Sequence, residues 1–563
     1  MAQQPFRLES ERLGAMPVIN HFLARLDLDA RLPRWVAGNA YAIQLPLTKV
    51  LGVALRCLCL RHEPLYALGE WAQPYAPHVL GLSAGEHELL NDDRVGRALA
   101  ALFAADRASL LTDVVLAMIE AFAIDCHQLH NDSTTITFSG AYHEATGEAR
   151  GGKPTPQIAR GHNKDHRPDL KQLLWILTVS ADGAVPLAHR VEDGNTNDDP
   201  THVPTWNGLV NLLGRADFLY IADSKLCSRS AMDHIATNGG RFLTVLPKTR
   251  GEDKGFRAWI PHHAPDWLEV QRLPGRRKED PPQVWWAFPW PEPSADGYRI
   301  CWMRSSQKMV QDAISRTDRL RRAHQKLAAL AKRLQSPRCR FRKQDAVEAA
   351  VEEILEKTQT GGLLRWTVSS RQEKHSRREK RGRLGPNTRS RCITRTRFQL
   401  SFETNAAAVS AEAAADGCFA LITNDRVLSP AQLLAAYKYQ PRLEQRHAEL
   451  KGPMEVAPVF LKDVARIEGL LCLVFLALLV RALIERELRD AMRERNITKI
   501  GLYPEDRGCS APTATRVLAL FSGLSRHRLF EQDRLLQVFP PQLTPLQLQV
   551  LDLLGVPPTA YMD

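Results

Sequence analysis

The alternation of strand-like and helix-like stretches between Asp125 and Lys248 predicts a mixed α/β sheet protein. Two further observations complete the outline. Residues 1–120 read as helical, with the densest apolar periodicity at 45–61, so a helical region precedes the sheet. From 250 to 410 the alternation stops, which predicts an insertion, and a buried strand returns at Cys418–Thr423.

Composition narrows the partners. A chain of 563 residues has room for roughly three or four domains. Its net charge is +12 and its pI near 9.3, which points to a polyanion, nucleic acid first and an anionic membrane surface second. The ten cysteines form no CxxC pair and no zinc-finger spacing with His. They read as free thiols in a reducing compartment, and a cytoplasmic location is expected. The first residues lack the apolar core of a signal peptide. The most apolar run, residues 470–480 (LLCLVFLALLV), is too short to span a bilayer and ends at Arg481, so a buried helix is expected there.

In chain order, helices are expected at 45–61, 92–103 and 105–122. Residues 130–138 (HNDSTTITF) alternate and are rich in Thr and Ile, a strand signature. Strands at 173–180 and 185–191 follow, joined by a turn at Ala181, Asp182 and Gly183. A helix at 201–213, a buried strand at 218–224, a helix at 228–238 and a strand at 239–247 complete the run. The first three strands read as an antiparallel meander and the later ones as helix-linked crossovers, so the sheet is mixed. Inside the insertion, helices are expected at 312–334 and 344–357, and Trp285, Trp286 and Trp290 pack a small β subdomain. Residues 371–397 carry eleven Lys or Arg against two Glu and read as a solvated or mobile segment able to meet phosphates. Ser429 and Pro430 cap a helix running to Tyr437, and Pro441 should kink or restart it. A long helix at 464–489 and helical segments at 513–524 and 546–554 end the chain.

Three acidic positions carry the chemistry. Asp132 lies in the first strand, Asp223 ends the strand after the first crossover helix, and Glu444 lies in 437–453 (YKYQPRLEQRHAELKGP). With the first and fourth strands as neighbours, Asp132 and Asp223 come side by side, and a helix packed across them adds Glu444. Clustered carboxylates repel one another and are stable together only around a cation. Hard oxygen ligands with open positions suit Mg2+ or Mn2+, and two such ions can activate an attacking hydroxyl and stabilise the leaving oxygen of a phosphodiester. Glu444 and Lys451 are seven residues apart, almost two turns, so both leave one helix face. The bland alternative for that face is a solvated amphipathic helix. Taken singly, an Asp at a strand end is a turn or cap residue, and only the ordered set is a signal. Asp165, His166 and Asp169 invite a metal reading, against which a loop ordering the sheet edge is the preferred one, and Asp198 reads as a helix N-cap.

These stretches resemble the DDE transposases of bacterial insertion sequences, in the branch with a Tyr-Arg-Glu-Lys signature. HNDSTT around Asp132, GHNKDHRPDLKQLLW at 161–175, VEDGNTND at 191–198, YIADSKLCS around Asp223 and ALITND ahead of the signature helix carry the likeness. Tyr437, Glu444 and Lys451 fit the signature spacing, while Gln440 stands where the signature has Arg, with Arg442 two residues on. LGAMPVINHFLARLDL and RHEPLYALGEW look like the helical leader of related transposases, so the likeness covers most of the chain.

The resemblance implies an RNase H-like core with a large insertion before the third carboxylate. It implies Asp132, Asp223 and Glu444 as catalytic residues and ligands of two Mg2+ or Mn2+ ions, and DNA contacts through Tyr437, Gln440, Arg442 and Lys451. Expected partners are double-stranded DNA, as terminal inverted repeats and target, and a second copy of the chain on that DNA. No membrane partner is expected. The expected division is a helical domain at 1–124 for DNA binding or dimerisation, core at 125–249, basic insertion at 250–415, core with the signature helix at 416–492, and a helical region at 493–563. One alternative is a DNA-binding descendant without catalysis, for which Gln440 is the mark. Another is an RNase H-like nuclease acting on RNA–DNA hybrids or junctions, against which the insertion and signature helix count.

Overall fold

The computed structural model describes residues 6–37, 44–61, 63–275, 277, 279–378, 390–456, 459 and 461–562. Two compact units emerge, one of Met1–Thr244 with Ala435–Asp563 and one of Val245–Leu434. The helical ends and the sheet, which the sequence divides into separate domains, thus belong to one unit.

That unit opens with strand β1 (Phe6–Arg12). Here the expected all-helical start is corrected, because FRLESER alternates with the period of a strand. Helices follow at Met16–Arg25, Leu28–Trp35, Leu47–Leu60, Asp92–Ala104 and Arg107–Phe122, the last two capped by the side chains of Asn91 and Asp106.

Five strands form the core: β2 (Gln128–Phe138), β3 (Lys171–Ser180), β4 (Pro186–Glu192), β5 (Leu219–Ile221) and β6 (Arg241–Val245). Their order across the sheet is β4-β3-β2-β5-β6. β3 is antiparallel to β2 and β4, whereas β2, β5 and β6 run parallel. Helices His202–Leu213 and Arg229–Thr237 make the crossovers. A meander followed by two helix-linked parallel strands is the RNase H-like mixed sheet that the sequence predicts. β3 is buried from Gln172 to Ser180, which accounts for its unbroken apolar run.

The second unit holds β7 (Leu268–Leu273), β8 (Gln283–Pro289) and β9 (Arg299–Ser305), antiparallel in sequence order. Trp290 packs edge-on against Phe256 and Trp259, so the tryptophan cluster is packing. Helices Ser306–Gln335 and Gln344–Thr358 enclose a core with a two-stranded ribbon, β10 (Leu364–Arg378) and β11 (Ser390–Thr404). The ribbon gives the described part of 371–397 strand conformation, and its side chains there are mostly exposed, as expected of a solvated segment. Leu364 and Val368, with Phe398 and Leu400, bury one face of the pleat while the charges take the other. Residues 379–389 of that basic stretch lie outside the described residues. β12 (Cys418–Thr423) pairs antiparallel with β9.

The chain returns to the first unit with the signature helix, Gln440–Lys451, and then the helix Val464–Glu494. The latter is long and apolar enough to cross a membrane, yet its apolar window is wholly buried inside the protein. The expected all-helical C-terminal region is corrected by β13 (Ser525–Glu531) and β14 (Arg534–Phe539), which pair antiparallel around a turn at Gln532 with φ +55°. β1, β13 and β14 form one antiparallel sheet that ties together the two ends of the unit.

A buried ion network fixes the signature helix. Arg481, 0% exposed, donates to Glu449 at 2.5 Å, to the Cys59 carbonyl at 2.6 Å and to the Thr515 hydroxyl at 2.6 Å. Arg446 donates to Glu449 at 2.9 Å, to Glu485 at 2.8 Å and to the carbonyls of Gly183 and Ala184, each at 3.0 Å. Glu485 also accepts from the Ala514 backbone at 2.8 Å. Burial pushes the Glu449 carboxyl up, but Arg481 and Arg446 more than offset this and hold it below its ordinary pKa. Removing one partner strands the others' charge in a dry interior. Arg481→Ala is therefore expected to cost about 3–5 kcal/mol in urea unfolding, and a cost under about 1 kcal/mol would contradict the network's role.

Candidate active site

Strand pairing brings the first two carboxylates together. In the parallel pair β2–β5, His130 stands opposite Ile221. Two residues on, the same register sets Asp132 beside Asp223. Asp223 caps the short turn Ser224–Leu226, its carboxylate accepting from the Lys225 N–H at 3.0 Å. Burial, aided by Asp223 and Asp198, pushes the Asp132 carboxyl up to about 6, against the pull of Lys164 and the Ser133 N–H. Asp223 is raised as well, by burial first and then by Asp198. Each carboxylate is thus short of counter-charge.

Two residues that the sequence reading left aside sit in this cluster. Asp198 takes the N-cap position of the turn Asp199–Thr201, but its side chain makes no cap bond. Instead it accepts from the Ser133 hydroxyl at 2.9 Å and pairs with Lys164 at 3.2 Å. This corrects the plain N-cap reading: a neighbouring hydroxyl and ammonium outbid the backbone. Lys164 also donates to the Ser133 carbonyl at 2.7 Å and stands 4.0 Å from Asp132 Oδ1. The loop carrying it is shaped by buried Asn163, which accepts from the N–H groups of Asp165 and Arg167 at 2.8 and 3.2 Å. Asp169 pairs with Arg167.

The third expected carboxylate comes from the signature helix. The preceding helix ends at Tyr437 (Pro430–Tyr437) and a new one starts at Gln440 with Pro441 in its first turn, so Pro441 restarts the helix as expected. At 100° per residue, Gln440, Glu444, His447 and Lys451 fall within a sector of about 60°. Gln440 is 8% exposed, accepts from the His130 ring at 2.8 Å and donates to the Asn131 carbonyl at 3.0 Å. Its amide is used up latching the helix to β2, which corrects the expected DNA contact. His447 is 7% exposed, with Nε2 3.7 Å from Asp132 Oδ2. Burial, then Lys164 and Lys451, lowers its pKa to about 3. Lys451 pairs with Asp165 at 2.6 Å.

Glu444 is exposed. The Tyr437 phenol is raised by burial and then by Asp223 and Glu444, so both carboxylates lie near it. Arg442 falls about 160° round the helix from Glu444. It lines a cleft of about 800 Å³ with Arg489, Arg493 and Arg516. Arg442 therefore does not stand in for the signature Arg beside Glu444. Of the four expected DNA contacts, Tyr437 and Lys451 keep to the carboxylate side.

Two raised aspartates offering hard oxygen donors fit the chemistry of a divalent cation. Among the described residues, no three His, Cys, Asp or Glu side chains stand ready to grip an ion as they are. Holding one requires the donors to close in, and the exposed Glu444 has the freedom to do so. Of the residues missed from sequence, His447 was findable, being three residues from Glu444 on the same face. Lys164 left no local signal.

No protein-family profile matches the chain, and no curated protein matches it in sequence. Among solved structures it is distantly similar to a piggyBac transposase, seen by cryo-EM in a synaptic complex with hairpin DNA, at 9% identity and a TM-score of 0.27. The match covers 53% of this chain and 63% of that one, less than two thirds of its length.

The raised Asp132 has a consequence for stability. In the folded chain it keeps its proton up to about pH 6, whereas its ordinary value is 3.8. The folded state thus binds more protons between these values, and stability falls as pH rises through the window. Asp132→Asn is expected to match the unsubstituted protein below about pH 4 and to exceed it above about pH 6, by up to about 3 kcal/mol. Urea titrations across pH read this directly, and a variant no more stable at pH 7 would contradict it.

Proposed function

We propose that the chain is a transposase that binds the ends of its insertion sequence, cleaves DNA phosphodiesters by Asp-Asp-Glu chemistry and joins the ends to target DNA. The observation that carries this reading is Asp132 on β2 next to Asp223 just past the end of the parallel neighbour β5, with the Glu444 helix latched across β2. Asp132, Asp223 and Glu444 would hold Mg2+ or Mn2+, two ions, which when bound supply activation of the attacking hydroxyl and stabilisation of the leaving oxygen. Lys451 exchanges Asp165 for a backbone phosphate, and Tyr437 lies beside the same carboxylates. In the insertion, exposed Arg365, Lys374 and Arg395 of the ribbon add sequence-independent contacts. An enzyme that holds two element ends works as a homodimer on DNA, here in the cytoplasm.

A second reading, a DNA-binding descendant without catalysis, draws on the absence of three ready metal donors among the described residues. Gln440 no longer supports it, since its amide has a structural task.

One assay separates the two. With Mg2+ and labelled DNA carrying the element's own terminal repeats, cleavage at the ends is expected, and both Asp132→Asn and Glu444→Gln should abolish it. Binding without cleavage by the unsubstituted protein would sink the first reading in favour of the second.

The Lys451–Asp165 pair gives a separate expectation for binding alone. Lys451→Ala should weaken DNA binding uniformly across sequences and reduce the salt slope by about one. Asp165→Asn should tighten binding by releasing the ammonium. Equal affinities for all three proteins in a salt titration would remove Lys451 from the DNA interface.

A further inference from the structure

We propose that His447 is a nitrogen ligand at this site, taking through Nε2 the same divalent ion that Asp132 takes through Oδ2. The inference rests on the reading of Asp132, Asp223 and Glu444 as metal-holding residues and extends it to a residue that reading does not include.

The geometry points to a missing partner. His447 is 7% exposed, and neither of its ring nitrogens makes a hydrogen bond of normal geometry among the described residues, although the Asp132 backbone lies close enough to favour its charged form. Buried polar groups are nearly always satisfied, so an orphaned ring aimed at a carboxylate calls for an explanation. The gap from Nε2 to Asp132 Oδ2 is 3.7 Å, too long for a hydrogen bond. It falls between the about 3.0 Å that separates adjacent donors and the about 4.2 Å that separates opposite donors on an octahedral centre with bonds of about 2.1 Å, so a shift of under about 1 Å brings both atoms onto one ion. Asp132 Oδ1 faces Lys164 at 4.0 Å, which leaves Oδ2 as the oxygen open toward the imidazole.

A comparison within the molecule sharpens the point. His189 is also buried with both nitrogens unpartnered, but its ring is sandwiched between Trp175 and Phe475. Stacking accounts for that orphan. His447 faces a carboxylate, and it leaves the same helix face as Glu444, one turn on. An imidazole nitrogen is a softer donor than a carboxylate oxygen, so the ligand set favours Mn2+ over Mg2+ more than three carboxylates alone would.

The test loads the full-length chain with Mn2+ and reads it by pulsed electron paramagnetic resonance, where a directly bound imidazole imprints 14N modulation on the echo. The unsubstituted protein should show that modulation, and His447→Phe should lose it. Mn2+ affinity measured by titration calorimetry should fall about tenfold or more in His447→Phe, with a smaller fall for Mg2+. His447→Asn, smaller and polar, serves as a second variant if the phenylalanine form does not fold, with melting curves as the check. Mn2+ binding that depends on Asp132, tested with Asp132→Ala, but shows no 14N coupling would overturn the role of His447 and leave the carboxylate site standing. Binding indifferent to Asp132→Ala would overturn both. Coupling that persists in the His447 variants would assign the nitrogen elsewhere and overturn the proposal too.

Discussion

The arrangement of the candidate site depends on the rotation of one helix, and that rotation is set by buried charge. Arg446 and Glu449 lie on the side of the signature helix away from Glu444, and they meet Arg481 and Glu485 of the neighbouring helix inside the protein. Each guanidinium also binds backbone carbonyls, Gly183 and Ala184 for Arg446 and Cys59 for Arg481. Such a network is of little use as a source of net stability, because its desolvation is costly. It is effective as a register device, since a helix turned by one residue would leave several charges unpaired in a dry core. With that side locked, Gln440 meets β2, His447 meets Asp132, and Glu444 and Lys451 share their face.

On the opposite side of the contact, the sheet collects negative charge where it is hard to stabilise. Three aspartates, Asp132, Asp198 and Asp223, cluster around the Lys164 ammonium, with Lys225 also acting on Asp223, and the two nearest the sheet interior are pushed toward protonation. A fold gains nothing for its own stability from this arrangement. Such electrostatics beside two parallel strands is what a bound cation would relieve. Beside these carboxylates, Lys451 pairs with Asp165, and Lys164 spans Asp198 and the Ser133 backbone.

Much of this was legible in the sequence, for reasons that differ by element. β2 and β3 announce themselves through alternation and an unbroken apolar run. The neighbourhood of Asp132 and Asp223 followed from a meander succeeded by crossovers, since that order leaves the first and fourth strands adjacent. β1, β13 and the ribbon were not legible, because charged side chains on their exposed faces dilute the apolar period; in β10 the alternation of Leu364 and Val368 is hidden among Arg, Lys and Glu. Gln440 was misread as a DNA contact because whether a helix residue faces in or out depends on the helix's phase, which tertiary charge pairing sets. Lys164 and Asp198 join the site through a loop and a turn, and no local pattern encodes the distance between them. His447 lay in plain view beside Glu444, yet only packing shows that its ring is buried and unpaired.

The central claim is that Asp132 and Asp223 form the floor of a divalent-cation site. Anomalous diffraction from crystals of the full-length chain grown with Mn2+ tests it most directly. An anomalous peak is expected in contact with the carboxylates of both Asp132 and Asp223. A fully Mn2+-loaded crystal with no peak there, or with its peaks only at other side chains, would contradict it.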